Sequence, residues 1–406
     1  MAVNLKPPGN LLPVPGVRLG VAEAAVKKPG RPDVTALLFA PNTQVAAVFT
    51  QNAFAAAPVL IARERVAAGS IRALLINSGN ANAGTGRAGH EAALQTCQAL
   101  AEAFDVPAES VLPFSTGVIG QLLPAERICK AIPALPGNLS EAGWLDAARA
   151  IMTTDTQPKA LSRRVELGDG EPPITITGMT KGAGMIKPNM ATMLAFVATD
   201  ARVSQADLQA LLAPAVQRSF NSITVDGDTS TNDACVLAAT GQTGPALTPD
   251  HPGWPTFANA VETVLRELAQ AIVRDGEGAT RFVAIKVDSA ASVDEARQVA
   301  FTVAHSPLVK TACFAGDPNW GRILAAVGRA GLAQLDIGRV DIALGSVDIV
   351  HQGQPVPGYS EADAAAIMAQ AEFDIRIGLG RGDAATTIWT TDLSYEYVRI
   401  NAEYRS

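Results

Sequence analysis

Strand-like runs follow one another along this chain without a helix between them, and that order restricts the folds open to it. Residues 163–167 and 174–177 are separated by a short Gly- and Pro-bearing stretch, and the run ATMLAFVAT at 191–199 comes next. Further short strands are predicted at 339–344, 346–350, 373–378, 386–390 and 395–400. Parallel strands need a long crossover, usually a helix, between each pair. Strict βαβ alternation therefore fails, and the expectation is an α+β layered arrangement rather than a doubly wound parallel sheet.

The rest of the chain reads in the same way. Residues 1–30 look irregular, and 34–40 and 45–50 look like a hairpin turning at Pro41-Asn42. A strand at 71–77 runs into the Gly-rich loop 78–86. The spacing of Ala92, Leu94, Cys97, Leu100 and Ala101 then predicts a helix ending before Pro107. Ser140 can cap a helix to Ala150, and Ser204 one from Gln205. A long helix is predicted over 256–274, and Ser292 and Glu295 form a capping box. The segments 320–331 and 361–371 also read as helices. With 406 residues, two or three domains are expected.

Charge and composition narrow the function. A net charge of −7 argues against a nucleic-acid surface. No run reaches the roughly 18–20 apolar residues of a membrane span, so a soluble protein acting on small molecules is expected. The start lacks the pattern of a signal or transit peptide, which makes the cytoplasm the default. Cys97, Cys129, Cys235 and Cys313 are far apart, as are His90, His251, His305 and His351, so neither a metal site nor a disulfide framework is expected.

Four segments carry candidate chemistry. Gly79 to Thr85 imitates a phosphate-binding loop, but Thr85 stands where the phosphate-contacting Lys belongs, which leaves a tight loop near a small ligand or a plain surface turn. The run from Asp226 to Asp233 resembles a calcium loop, yet Leu237 occupies the position of the bidentate Glu, so calcium is rejected. A turn lining a site and a solvated loop both remain open there. The elbow FSTGVIG at 114–120 can aim a hydroxyl and an amide at one point, as an oxyanion site requires. Finally, a Thr hydroxyl becomes a nucleophile when a base stands beside it. Cleavage before Thr192 would free an α-amine within reach of that hydroxyl, while the pattern alone fits a Thr in an ordinary strand better.

The segment KGAGMIKPNMATMLAF at 181–196 closely resembles the self-cleavage segment of the ornithine acetyltransferase (glutamate N-acetyltransferase) family of arginine biosynthesis. VFTQN (48–52), NSGNAN (77–82), STG (115–117), MTTDT (152–156), DGDTSTND (226–233), DGEGAT (275–280), GDPNWGR (316–322) and VRINAEYRS (398–406) follow in family order. The resemblance implies an αββα-type sandwich with a smaller C-terminal α/β domain. It implies a precursor cut between Ala191 and Thr192, so that residues 1–191 form one chain and 192–406 a second. Thr192 would then be the nucleophile, with Thr116 and Gly117 as the oxyanion hole. Thr156, Lys181, Thr192, Glu277, Asn401 and Ser406 match substrate-binding positions, Lys181 suiting a carboxylate and Glu277 the amine end of ornithine. The implied reaction moves acetyl from N-acetylornithine to glutamate without a cofactor or metal, in an expected heterotetramer of the two chains. Acetyl-CoA is a further candidate donor, and nothing in the sequence decides for or against it. Two alternatives are a related self-processing aminopeptidase or amidohydrolase, which would use Ser as the new N-terminus, and a non-catalytic amino-acid-binding protein.

This reading predicts two bands on a denaturing gel, the second beginning at Thr192. Thr192→Ala is expected to stay as one band, and a fully active uncut chain would count against the scheme.

Overall fold

The computed structural model describes residues 2–168, 170–187 and 193–403. Two compact units emerge, one of Lys6–Asn221 with Asp228–Ile272, the other of Met1–Leu5, Ser222–Gly227 and Val273–Ser406.

Among the described residues the larger unit holds nine strands: β1 (Val17–Ala22), β2 (Val34–Phe39), β3 (Gln44–Phe49), β4 (Ala73–Asn80), β5 (Val111–Val118), β6 (Lys159–Val165), β7 (Ile174–Lys181), β8 (Leu194–Arg202) and β9 (Ala234–Ala246). They form two sheets, ordered β1-β2-β4-β5 and β3-β9-β8-β7-β6. Only β4 with β5 and β8 with β9 run parallel. Both faces of the strands are apolar because both are covered. Leu37, Phe39, Leu74, Ile76 and Phe114 of the first sheet meet Val45, Phe49, Met179, Phe196 and Val236 of the second in one core. Phe114 and Phe196 cross the layers edge to face, their centroids 5.1 Å apart.

The alternate residues Ala36, Leu38, Ala73, Leu75 and Val111 turn outward and pack with Cys97, Leu100 and Ala101 of the helix Gly86–Phe104. The helix Gln205–Gln217 lies against β3 and β9, giving the α+β sandwich with helices outside its sheets. Its N-cap Ser204 accepts from the Asp207 amide as expected.

The smaller unit is built on a six-stranded sheet of β10 (Phe282–Ala290), β11 (Asp341–Leu344), β12 (Val347–His351), β13 (Gln354–Pro355), β14 (Glu372–Gly378) and β15 (Ala384–Thr391), ordered β13-β12-β11-β14-β10-β15. Val283, Ile285 and Val287 share one face of β10 and pack with Val299 and Val303 of the helix Val293–Ala304. The predicted capping box is present with one difference. Ser292 Oγ accepts from the Glu295 amide, but the Glu295 carboxylate reaches back to the amide of Ala291 at 3.3 Å.

Several expectations need correction. The strands at 34–40 and 45–50 exist, but they do not form a hairpin, because β2 pairs with β1 and β4 while β3 pairs with β9. Every residue of β2 is buried and so are five of the six in β3. A single hairpin sheet would leave one of those faces wet, so the turn at Asn42 carries the chain into the opposite layer. Residues 17–22, inside the predicted irregular lead-in, form β1. The helix expected from Ser140 begins at Trp144, and Ser140 instead exchanges backbone hydrogen bonds with Leu19. Residues 395–400, read as a strand, lie in the helix Tyr395–Ala402, where Arg399 pairs with Glu396 and Glu403 one turn to either side.

Leu74 is fully buried between the sheets. Leu74→Ala is expected to lower stability by about 2–5 kcal/mol, measured as a lower urea midpoint at unchanged slope.

Candidate active site

The parallel strands β4 and β5 end at a close backbone crossing. Gly117 pairs with Gly79, and the register slips at Asn80. Gly117 has φ +135, and a Cβ there would stand 2.2 Å from the Gly79 carbonyl carbon and 2.5 Å from the Asn80 nitrogen. Only glycine fits such an approach. Asparagines lock the crossing in place: Asn77 Nδ2 donates to Asn80 O at 2.8 Å, and Asn82 Nδ2 to Gly89 O at 2.8 Å. Asn232 Nδ2 donates to Ala81 O at 2.5 Å and to Ser115 O at 2.9 Å.

These bonds revise the reading of the Gly-rich loop. The first residues of 78–86 belong to β4. The Ala81 amide donates to Val118 O, and the Asn82 amide to Asn80 Oδ1. Of the two alternatives left open there, a ligand loop and a plain surface turn, neither describes these amides: both are used to close the end of the sheet. The segment 114–120, read as an elbow, is likewise mostly the end of β5.

Thr116 on β5 receives a hydrogen bond from Lys181, whose Nζ stands 3.1 Å from Thr116 Oγ1. Both residues are buried. An ammonium can only donate, so the Thr116 hydroxyl proton is directed away from Lys181. A polarised O–H is left to donate to an oxygen developing negative charge. Lys181 closes β7 opposite Leu194 of β8, and Thr180 Oγ1 donates to Leu194 O at 2.9 Å. Met193, the residue after Thr192 in sequence, is buried, and its carbonyl accepts from the Ala234 amide at 3.0 Å.

Behind Lys181 lies a charged cluster that the sequence reading missed. The side chains of Asp155 and Lys159 are wholly inaccessible to solvent and meet at 2.6 Å. Asp155 also accepts from the amides of Gly182 at 2.7 Å and Thr153 at 3.0 Å. Burial alone would raise the pKa of Asp155. The charges of Lys159 and Lys181, with the Gly182 amide, outweigh it and hold the carboxyl well below the usual carboxylate range. Asp155 stands in MTTDT and Lys159 four residues on. A charged pair at that spacing was the available signal, obscured by the hydroxyls around it.

The remaining candidates divide between the units. Thr156 is exposed on the turn beside Asp155 in the larger unit. Ala191, Thr192 and Ser406 lie outside the described residues. In the smaller unit, Asn401 Nδ2 donates to Glu277 Oε2 at 2.8 Å and to Tyr397 O at 3.0 Å. Glu277 is buried in the loop DGEGAT, and Ser394 Oγ donates to the adjoining Gly278 O. Two of the predicted positions are thus brought together, Glu277 from its loop and Asn401 from the helix Tyr395–Ala402, most of which the sequence reading took for a strand.

Of the run 226–233, Thr229 Oγ1 donates to Lys187 O at 2.9 Å, and Asn52 Nδ2 to Thr229 O at 3.0 Å. With Asn232 holding Ser115, this is a hydrogen-bonded turn rather than a solvated loop. Among the described residues, no group of three or more His, Cys, Asp or Glu has metal-holding geometry, and no helix is long and apolar enough to cross a membrane. The cysteines are unbridged, and burial pushes the Cys97 thiol up to about 11 despite Arg65.

Gly117→Ala is expected to destabilise the fold by about 1–3 kcal/mol. Gly137, whose added Cβ would meet nothing within 4 Å, provides the control. Gly137→Ala should stay within about 0.5 kcal/mol in the same chemical denaturation series.

A family model described as the ArgJ family matches residues 18–406. The "arginine biosynthesis bifunctional protein ArgJ" of Pseudomonas syringae pv. tomato is 55% identical over 408 residues, with both chains covered completely. The protein of the same name from Methylococcus capsulatus is 57% identical over 397 residues, 98% of this chain and 97% of that one. The crystal structure of an arginine biosynthesis bifunctional protein ArgJ from Bacillus halodurans matches with TM-score 0.50 and 43% identity, covering 52% of this chain and 99% of that chain. With a family match over nearly its whole length and relatives this similar from end to end, the chain belongs to the ArgJ family.

Proposed function

We propose that this protein transfers the acetyl group of N2-acetylornithine to glutamate, through an acetyl ester on Thr192, and releases ornithine before N-acetylglutamate forms. The observation that carries the proposal is the Lys181 ammonium bonded to Thr116 next to Gly117, with Lys181 paired to Leu194, two positions after Thr192 in sequence. A hydroxyl polarised by a buried cation suits the oxyanion of an acyl transfer. The same donors serve acylation and deacylation, since each passes through a tetrahedral oxyanion at the same carbonyl.

The nucleophile arises by cleavage between Ala191 and Thr192. Its α-amine takes the hydroxyl proton on attack and returns it to the leaving amine of ornithine. The two pieces stay together because β7 of the first is paired with β8 of the second along six residue pairs. That nearly all of the Bacillus halodurans chain spans only about half of this one also favours a two-piece enzyme. In the full assembly, two such pairs make a heterotetramer working in the cytoplasm.

Thr156, Lys181, Glu277, Asn401 and Ser406 bind the substrates. A buried Glu277 carboxylate held by Asn401 suits the side-chain ammonium of ornithine. The word "bifunctional" in the names of the relatives supports acetyl-CoA as a second donor to the same Thr192.

Intact mass spectrometry tests the reading. With N-acetylornithine alone, the chain beginning at Thr192 is expected to gain one acetyl group and to lose it when glutamate is added. Transfer that proceeds without any acetylated chain, or through Thr192→Ala, would remove the covalent mechanism.

A further inference from the structure

Lys310, on the helix Pro307–Ala315 of the smaller unit, is buried, and the function proposed above does not use it. Its Nζ donates to Thr390 Oγ1 at 3.1 Å, to Thr391 Oγ1 at 3.3 Å and to Thr391 O. An ammonium has three hydrogens, and here all three go to neutral oxygens at the end of β15. Enclosing a cation among neutral groups is costly, and a Met of similar length would fill the space without that cost.

The residues that Lys310 grips lead straight to the loop of Glu277. Asp392 follows Thr391, and its Oδ1 accepts from the amides of Thr280 at 2.8 Å and Arg281 at 2.9 Å, while its Oδ2 accepts from the Thr280 hydroxyl. Ser394 Oγ donates to Gly278 O at 2.6 Å. Gly278 has φ +69, and a Cβ on it would stand 2.4 Å from the Tyr397 nitrogen, so the loop is pressed against the helix that brings Asn401 to Glu277. From the other side the Leu393 amide donates to Lys310 O at 3.2 Å. Residues 390–394 are therefore a strap, held by Lys310 through its side chain and its carbonyl, and holding in turn the residues next to Glu277.

The charge on Lys310 is easily lost. Burial pushes its pKa down to about 8, opposed by the Cys313 sulfur one turn along its own helix, by Asp392 and by Asp226. Burial also pushes the Cys313 thiol up to about 12, which leaves the two carboxylates as the charges facing Lys310. Lys310 is thus charged below about pH 8 and loses its charge as the pH rises through that value.

We propose that Lys310 is a positioning residue for substrate selection: through Thr391 and Asp392 its ammonium sets the loop that carries Glu277, and with it the preference for an acetylated amino acid whose side chain is a cation. This rests on the function proposed above.

The test measures kcat/KM for N-acetylornithine and for N-acetylnorvaline, which matches it except that the side-chain ammonium is missing, in wild type and in Lys310→Met. The expected result is a fall of about tenfold or more for N-acetylornithine, with N-acetylnorvaline within about threefold of wild type. A Lys310 that only supports the fold would lower both by the same factor or neither, and either outcome overturns the proposal. Should Lys310→Met fail to fold, the pH dependence of the ratio in wild type decides, because groups acting on both substrates alike cancel in it. The ammonium of N-acetylornithine itself stays charged to roughly pH 10. A ratio that falls about threefold or more between about pH 7 and about pH 9 supports the proposal, and a flat ratio refutes it. If wild type transfers no acetyl group or does not prefer N-acetylornithine, the assigned reaction or the role given to Glu277 fails. Lys310 is then judged by hydrogen exchange of the Thr280 and Arg281 amides, corrected for intrinsic rate, in Lys310→Met or, if that variant does not fold, in wild type on either side of about pH 8. Faster exchange on losing the ammonium or its charge, with the helix Gly86–Phe104 unchanged, supports the positioning role, and unchanged exchange overturns it.

Discussion

A carboxylate sealed from water and bonded to a lysine and two backbone amides organises the candidate site. Ionised groups are tolerated in such places only when their charge is met at close range and their lone pairs are used. Asp155 meets both conditions and ties three separate pieces of chain together: its own turn, β6 through Lys159, and the start of the loop after β7 through Gly182. Lys181, the last residue of β7 and next to Gly182, bonds to Thr116.

The sandwich supplies the other half of the arrangement. Lys181 belongs to one sheet and Thr116 to the other, so their hydrogen bond spans the layers at the end of the strands, where the apolar core gives way to polar side chains. Phe114 and Phe196 lie farther in and set the separation with an edge-to-face contact. The Gly79–Gly117 crossing and the asparagines around it close the end of the first sheet tightly enough to bring Thr116 into reach. Apolar packing fixes the spacing of the layers, and a few buried polar groups at the rim determine what the site can do.

Much of this was legible in the residues. Strands following one another without helices gave the layered α+β class, and local signals with a mechanism, such as the caps at Ser204 and Ser292, were found where expected. Long-range pairing was not legible. Both β2 and β3 are strands in sequence and in structure, but which strand each joins depends on covering two apolar faces at once, and a turn signal carries no information about that. The strand β9 was overlooked because ACVLAATGQTGPA is rich in small residues with weak strand preference, although it lies inside its sheet. The segment 395–400 shows the reverse error: Tyr, Val and Ile suggested a strand, but no residue of that helix is buried, and its Glu and Arg side chains pair at helical spacing. For the site, the resemblance supplied Thr116, Gly117 and Lys181, while Asp155 and Lys159 emerged only from the folded chain, because a buried ion pair is a property of tertiary environment.

The antiparallel ladder between β7 and β8 has a thermodynamic consequence. The proposed cut at 191/192 would turn a unimolecular folding equilibrium into a bimolecular one, so the apparent melting point of a cut protein should rise with its concentration. Refolding also slows as the protein is diluted. The separated pieces must find each other again as two molecules, and refolding cannot restore the lost peptide bond. The lifetime of the processed enzyme is then governed by how slowly these strands part.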